Sequence, residues 1–208
     1  TIDGDGSDPA WQTANWYNID NTWITYGENI PSDDFSGKYK VSWSSATNLL
    51  YFLVEITDDA FISGYNYPNG NYPDFDIVEV FIDEDKSGGL HVFDNSSNDG
   101  VNAENAFAYH IVPDKEPSAG ETVTGKTVCD IAGTSWSDKE IPDYADHLPD
   151  FALTKDGNTY TWEFSLQVHA DSYDKANPSS SVVDLDSGKI MGLSVAYCDN
   201  DDGGSRDH

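Results

Sequence analysis

The densest chemical signal in the chain is the run Asp83-Glu84-Asp85-Lys86-Ser87-Gly88-Gly89, closed by Asp94. Carboxylates at the first, third and twelfth positions, a hydroxyl at the fifth and glycine at the sixth match most of the spacing of a calcium loop. In such a loop alternate side chains converge on one centre and the glycine permits the sharp bend. Asp83, Asp85, Ser87 and Asp94 are the expected calcium ligands, since hard oxygen donors of like charge suit that ion. Two features depart from the pattern: Asp stands where a bidentate Glu is usual, and the flanks read as strands rather than helices. An acidic hairpin loop that keeps a sheet end soluble has the same composition, and both readings stand. Two shorter runs, Asp3-Gly4-Asp5-Gly6-Ser7-Asp8 and Asp199-Asn200-Asp201-Asp202-Gly203-Gly204, repeat only the first part of the spacing and are expected to be solvated turns.

A second kind of chemistry resides in Tyr65-Asn66-Tyr67-Pro68-Asn69-Gly70-Asn71-Tyr72-Pro73-Asp74-Phe75, which leads directly to Glu79. Sugars present apolar C–H faces and hydroxyl edges, so aromatic rings beside carboxylates and amides are what a sugar site needs. A tyrosine-rich loop packed over a sheet edge is the plainer alternative. Trp11, Trp16, Trp23, Trp43 and Trp162 read as structural. The Gly-x-Ser-x-Gly elbow, the phosphate-binding glycine loop, His-Glu-x-x-His and Cys-x-x-Cys are all absent. The five histidines show no ligand spacing. Nothing here requires an enzyme.

These groups must be positioned by strands. Alternation over 38–43 places Tyr39, Val41 and Trp43 on one face, and 49–57 is apolar on both faces, as a central strand covered on each side is. Strands are also expected at 77–83, 106–112 and 190–197, with a hairpin joining 151–154 to 159–166 through Lys155-Asp156-Gly157-Asn158. No long helix is predicted. Many short strands separated by Gly, Asp, Asn and Pro predict an all-β fold, an antiparallel β-sandwich of immunoglobulin-like or jelly-roll-like kind with long loops. Residues 1–208 are expected to form one domain.

Asp and Glu number 38 against 10 Lys and Arg, a formal net charge of -28 in 208 residues. That potential repels phosphate backbones and anionic lipid, so no nucleic-acid or membrane partner is expected, and it attracts cations. No apolar run reaches membrane-spanning length. Cys129 and Cys198 form a disulfide or remain two buried thiols; spacing does not decide.

Several segments together resemble family 9 carbohydrate-binding modules. They are Ile2-Asp3-Gly4 through Asp8-Pro9-Ala10-Trp11, Val54-Glu55-Ile56-Thr57-Asp58-Asp59, and Asp76-Ile77-Val78-Glu79-Val80-Phe81-Ile82-Asp83. Ala106-Phe107-Ala108-Tyr109-His110-Ile111 and Ala196-Tyr197-Cys198-Asp199-Asn200-Asp201 are similar to the branch often called sugar-binding proteins. The resemblance implies a secreted or extracellular, calcium-bearing sandwich that holds the end of a glycan between two aromatic rings. It places Glu79 on sugar hydroxyls, with His110 on the next strand and Asn200, Asp201 and Arg206 in the last motif. Tyr72 or Phe75 stands in for the family's tryptophan. The family pattern continues into a final strand and second aromatic, whereas this sequence stops at His208, so truncation at that edge is expected. Two rivals are an extracellular assembly domain that self-associates through the open sheet edge, stiffened by calcium, and a haem-binding sandwich using Met191 and a histidine.

Overall fold

The computed structural model describes residues 1–65, 70–88, 106–130, 147–174 and 176–208, among which nine strands form two antiparallel sheets. In chain order they are β1 (Tyr17–Ile19), β2 (Phe35–Ser44), β3 (Leu49–Asp58), β4 (Ile77–Asp83), β5 (Phe107–Pro113), β6 (Gly125–Asp130), β7 (Asp150–Asp156), β8 (Thr159–Leu166) and β9 (Gly192–Cys198). The five-stranded sheet runs β1-β2-β3-β8-β7 and the four-stranded sheet β6-β5-β4-β9. The all-β sandwich is thus the observed fold.

The period of two in each strand decides which residues meet in the middle. Leu50, Phe52, Val54 and Ile56 of β3 and Trp162, Phe164 and Leu166 of β8 face Val78, Val80 and Ile82 of β4 and Phe107, Tyr109 and Ile111 of β5. Phe52 stacks on Phe164 with centroids 5.1 Å apart. Tyr39 and Val41 pack against this core, while Trp43, at the end of the same strand, stays exposed. The hairpin expected around Gly157 forms, with Asp156 opposite Thr159. Gly157 takes φ 61°, the conformation that a two-residue hairpin of the II′ kind demands of its first residue.

The outer face of β3 is also covered, as its sequence predicts, and the cover is the N-terminal segment. Leu53 is buried there, and a Cβ on Gly6 would lie 3.0 Å from its Cδ2. The segment is held by one buried carboxylate on β8. Glu163 accepts the backbone N–H groups of Asp3 and Gly4, both at 2.9 Å, and the Trp11 indole N–H at 2.7 Å.

Among the described residues, backbone hydrogen bonds tie the two sheets together on one side. Val123, just before β6, exchanges backbone hydrogen bonds of 2.9 and 3.0 Å with Leu153 of β7. On the other side β1 and β9 are both sheet edges among the described residues.

Candidate carbohydrate-binding cleft

In β4, Val78, Val80 and Ile82 point into the core, so Glu79 and Phe81 must point out of the four-stranded sheet. The register sets Glu79 opposite His110 of β5 and opposite Ala196 of β9. His110 Nδ1 and Glu79 Oε1 are 2.6 Å apart; a carboxylate only accepts, so Nδ1 donates. Burial pushes the Glu79 carboxyl up, but the His110 charge and hydrogen bond, reinforced by Arg206 and Cys198, outweigh it and hold it below the ordinary glutamate range. Tyr72 lies over the His110 ring, with centroids 4.2 Å apart and planes tilted by 35°.

Arg206 is brought here by the turn that follows β9. The Asn200 amide builds that turn: Oδ1 accepts the N–H groups of Asp202 and Gly203, and Nδ2 donates to the carbonyls of Asp74 and Gly204. The chain then doubles back, and the Arg206 guanidinium donates to Cys198 Sγ at 3.2 Å. Cys198 is a buried free thiol, raised well above its ordinary pKa by burial and then by the Glu79 charge. The side chain of Cys129 lies outside the described residues.

Tyr72, Glu79, Phe81, His110, Cys198 and Arg206 line one open cleft of about 1330 Å³, which continues along the free edge of β9 toward Phe35 and Tyr39. Of the residues expected at the site, Tyr72, Glu79, His110 and Arg206 come together. Phe75 packs behind, edge-on to Tyr65 at 5.6 Å, and Asn200 and Asp201 do not line the cleft. Asn200 is fully buried and spent on the turn. Trp23 was read as structural, yet it is 65% exposed and lines this cleft from the segment between β1 and β2, edge-on to Tyr26. Its neighbours in sequence show no strand alternation, which sets it apart from the core tryptophan Trp162 of β8.

The residues of the expected calcium loop bond to their own loop backbone. Asp83 accepts the N–H groups of Ser87 at 3.1 Å and Gly88 at 2.8 Å, and Asp85 accepts Ser87 N–H at 2.9 Å. Asp94 lies outside the described residues, as does Tyr67 of the aromatic loop. A separate carboxylate cluster, invisible in sequence, forms where strands end: Asp58 closes β3, Asp76 precedes β4 and Asp199 follows β9, with ligand oxygens all within 4.8 Å of one another. Burial, then repulsion from Asp58, raises Asp76 to about 9 and Asp199 to about 7; burial raises Asp58 to about 6 against its bonds from Tyr197 and Ala60. Met191 packs against the core.

A β-sandwich with an outward-facing cleft of aromatic, carboxylate, imidazole and guanidinium groups is the architecture of a binding module. The chain belongs to the family described as "Carbohydrate family 9 binding domain-like", whose model matches residues 2–208. That is a family of non-catalytic modules, so the chain is not an enzyme. Among solved structures it is similar to a family 9 carbohydrate-binding module from Caldicellulosiruptor kristjanssonii in complex with glucose, with 18% identity and a TM-score of 0.58 over 99% of this chain and 77% of that one. The same module in complex with cellotriose matches with 18% identity and a TM-score of 0.58, over 99% and 75% of the two chains. A search of curated proteins returned no match.

Proposed function

We propose that the cleft holds one end of an oligo- or polysaccharide outside the cell, with the exposed Trp23 as its stacking face and the buried Tyr72 lining it beside His110. The observation that carries this reading is the buried Glu79–His110 pair, 2.6 Å apart, opening with Arg206 into a cleft walled by Tyr72. Charged donors and acceptors held in fixed directions suit the alternating hydroxyls of a pyranose ring, and each such bond is stronger than a neutral one. The exposed ring of Trp23 suits its C–H surfaces. The solved relatives are complexes with glucose and with cellotriose, which makes glucose and short β-glucans the first ligands to try. Isothermal titration with these sugars, calcium present, is the test. Binding is expected, and Glu79→Ala is expected to weaken it roughly 10- to 100-fold, the worth of a lost charged hydrogen bond. No heat with any glycan would overturn the reading, and an unchanged Glu79→Ala affinity would remove Glu79 from the site.

A second reading is assembly by strand addition at β9, favoured by its free edge and by the exposed Ile190 and Leu193 beside it. Under this reading the mass by light scattering rises with concentration and falls on chelation. A constant monomer mass under both conditions excludes it.

A further inference from the structure

We propose that His208 is the positioning residue that holds Trp23 at the mouth of the cleft, so that the stacking face is fixed before a sugar arrives. The segment between β1 and β2 that carries Trp23 is bonded mainly to itself. Gly27 N–H donates to the Thr22 carbonyl at 3.0 Å, Glu28 N–H to the Thr25 carbonyl at 2.9 Å, and the Thr22 hydroxyl to the Glu28 carbonyl at 2.7 Å. Among the described residues, one hydrogen bond joins residues 22–30 to another part of the chain: His208 Nδ1 donates to the Ile24 carbonyl at 3.1 Å. A carbonyl only accepts, so Nδ1 carries the proton. The acceptor belongs to the residue directly after Trp23. The other ring nitrogen, Nε2, lies 3.9 Å from Asp34 Oδ2 on the returning limb, so one ring reaches both limbs of the segment.

His208 is itself held by the sheet. Beyond β9 the chain doubles back, and Asp199 and His208 exchange backbone hydrogen bonds of 3.3 Å in each direction. Asp207 N–H adds a bond of 2.8 Å to the Asp199 carbonyl. Alternate residues of such a paired arm point the same way. Arg206 and His208 both line the cleft, whereas Asp207 accepts Asp201 N–H at 3.0 Å. One arm thus sets the guanidinium on Cys198 and the imidazole on the Trp23 segment. An untethered segment has to be ordered when a sugar stacks on Trp23, and that ordering subtracts from affinity. The His208 tether moves the cost from binding to folding.

The effect on affinity rests on the carbohydrate reading, so the test on the whole chain has two readouts. The first is hydrogen exchange in the sugar-free protein, followed by mass spectrometry. His208→Phe keeps a ring and removes the donor, and exchange over residues 22–30 is expected to become roughly two- to tenfold faster, the worth of one hydrogen bond. His208→Asn offers an amide donor at the place of Nδ1 and is expected to stay near the parent. The second readout is a double-mutant cycle by cellotriose titration. His208→Phe is expected to weaken binding roughly two- to tenfold in the parent. In a Trp23→Leu background it is expected to change little, since the tether then has no ring to hold. A residue needed only for stability would weaken both backgrounds alike. Unchanged exchange in His208→Phe overturns the tether, and exchange as fast in His208→Asn overturns the hydrogen bond as its cause. Unchanged affinity in His208→Phe, or an equal loss with and without Trp23, overturns its role at the site. No binding of any glycan by the parent overturns the carbohydrate reading and the link to affinity with it, while hydrogen exchange still decides the tether.

Discussion

Glu79 and His110 face each other on neighbouring strands, and their pairing gives the cleft a defined pH response. The groups that face Glu79 are His110 from β5, Cys198 from β9 and Arg206 from the turn beyond it. Together they overcome burial and keep the carboxyl below its ordinary range. A depressed carboxyl contributes stability, and here sugar affinity, at pH above its unfolded value and loses both as pH falls through the folded value. Glycan affinity is therefore expected to hold from pH 7 to about 5 and to decline only in stronger acid. In His110→Gln burial is left without its main opponent, so the decline moves to higher pH; titration calorimetry across that range checks it, and an unmoved profile contradicts it. Glu79 was legible in the sequence because the aromatic loop 65–75 leads directly to it and the family resemblance sets it on sugar hydroxyls. The Asp58, Asp76 and Asp199 cluster was not, because each sits at a different strand end and no local spacing joins them. Motif reading finds carboxylates that share a loop, and these three meet only where strands of the two sheets end.

The N-terminal segment behaves as a tenth element, attached by side chain rather than by a ladder. Glu163 is 1% exposed and bonds three N–H donors from that segment. Glu163→Gln keeps the shape but replaces one acceptor oxygen with a donor, so it is expected to cost about 1–3 kcal/mol. Thermal melting reads this as a fall of several degrees, accompanied by faster proteolysis ahead of Tyr17; parental melting and proteolysis would show the segment is held elsewhere. Strands with sustained alternation, such as β2, β4 and β9, were legible in the sequence. Two were missed for physical reasons. β1 has three residues, too few for a period, and β6 reads Gly-Lys-Thr-Val-Cys-Asp, where only Thr127 and Val128 are buried among its described side chains. β6 is an edge strand specified by its register with β5 more than by its own pattern.

At the scale of the whole molecule, a net charge of -28 repels itself in the folded state, and added salt screens that repulsion. Raising sodium chloride from about 0.05 to 0.5 M, with calcium held fixed, is expected to raise the melting temperature. A flat or falling dependence would mean the acidic groups are already compensated locally. The same asymmetry of construction appears in how the sheets meet. Val123 and Leu153 bind them like the spine of a book, while β1 and β9 form the fore-edge, where the cleft enters. Across the fore-edge the ties among the described residues are made by side chains, among them the stack of Phe35 on Tyr197, the bond from Tyr197 to Asp58 and the bond from His208 Nδ1 to the Ile24 carbonyl. The pages can therefore part there by rotating rings, with no backbone ladder between β1 and β9 to break among the described residues, and Tyr197 becomes the clasp whose grip on Asp58 decides how wide they open.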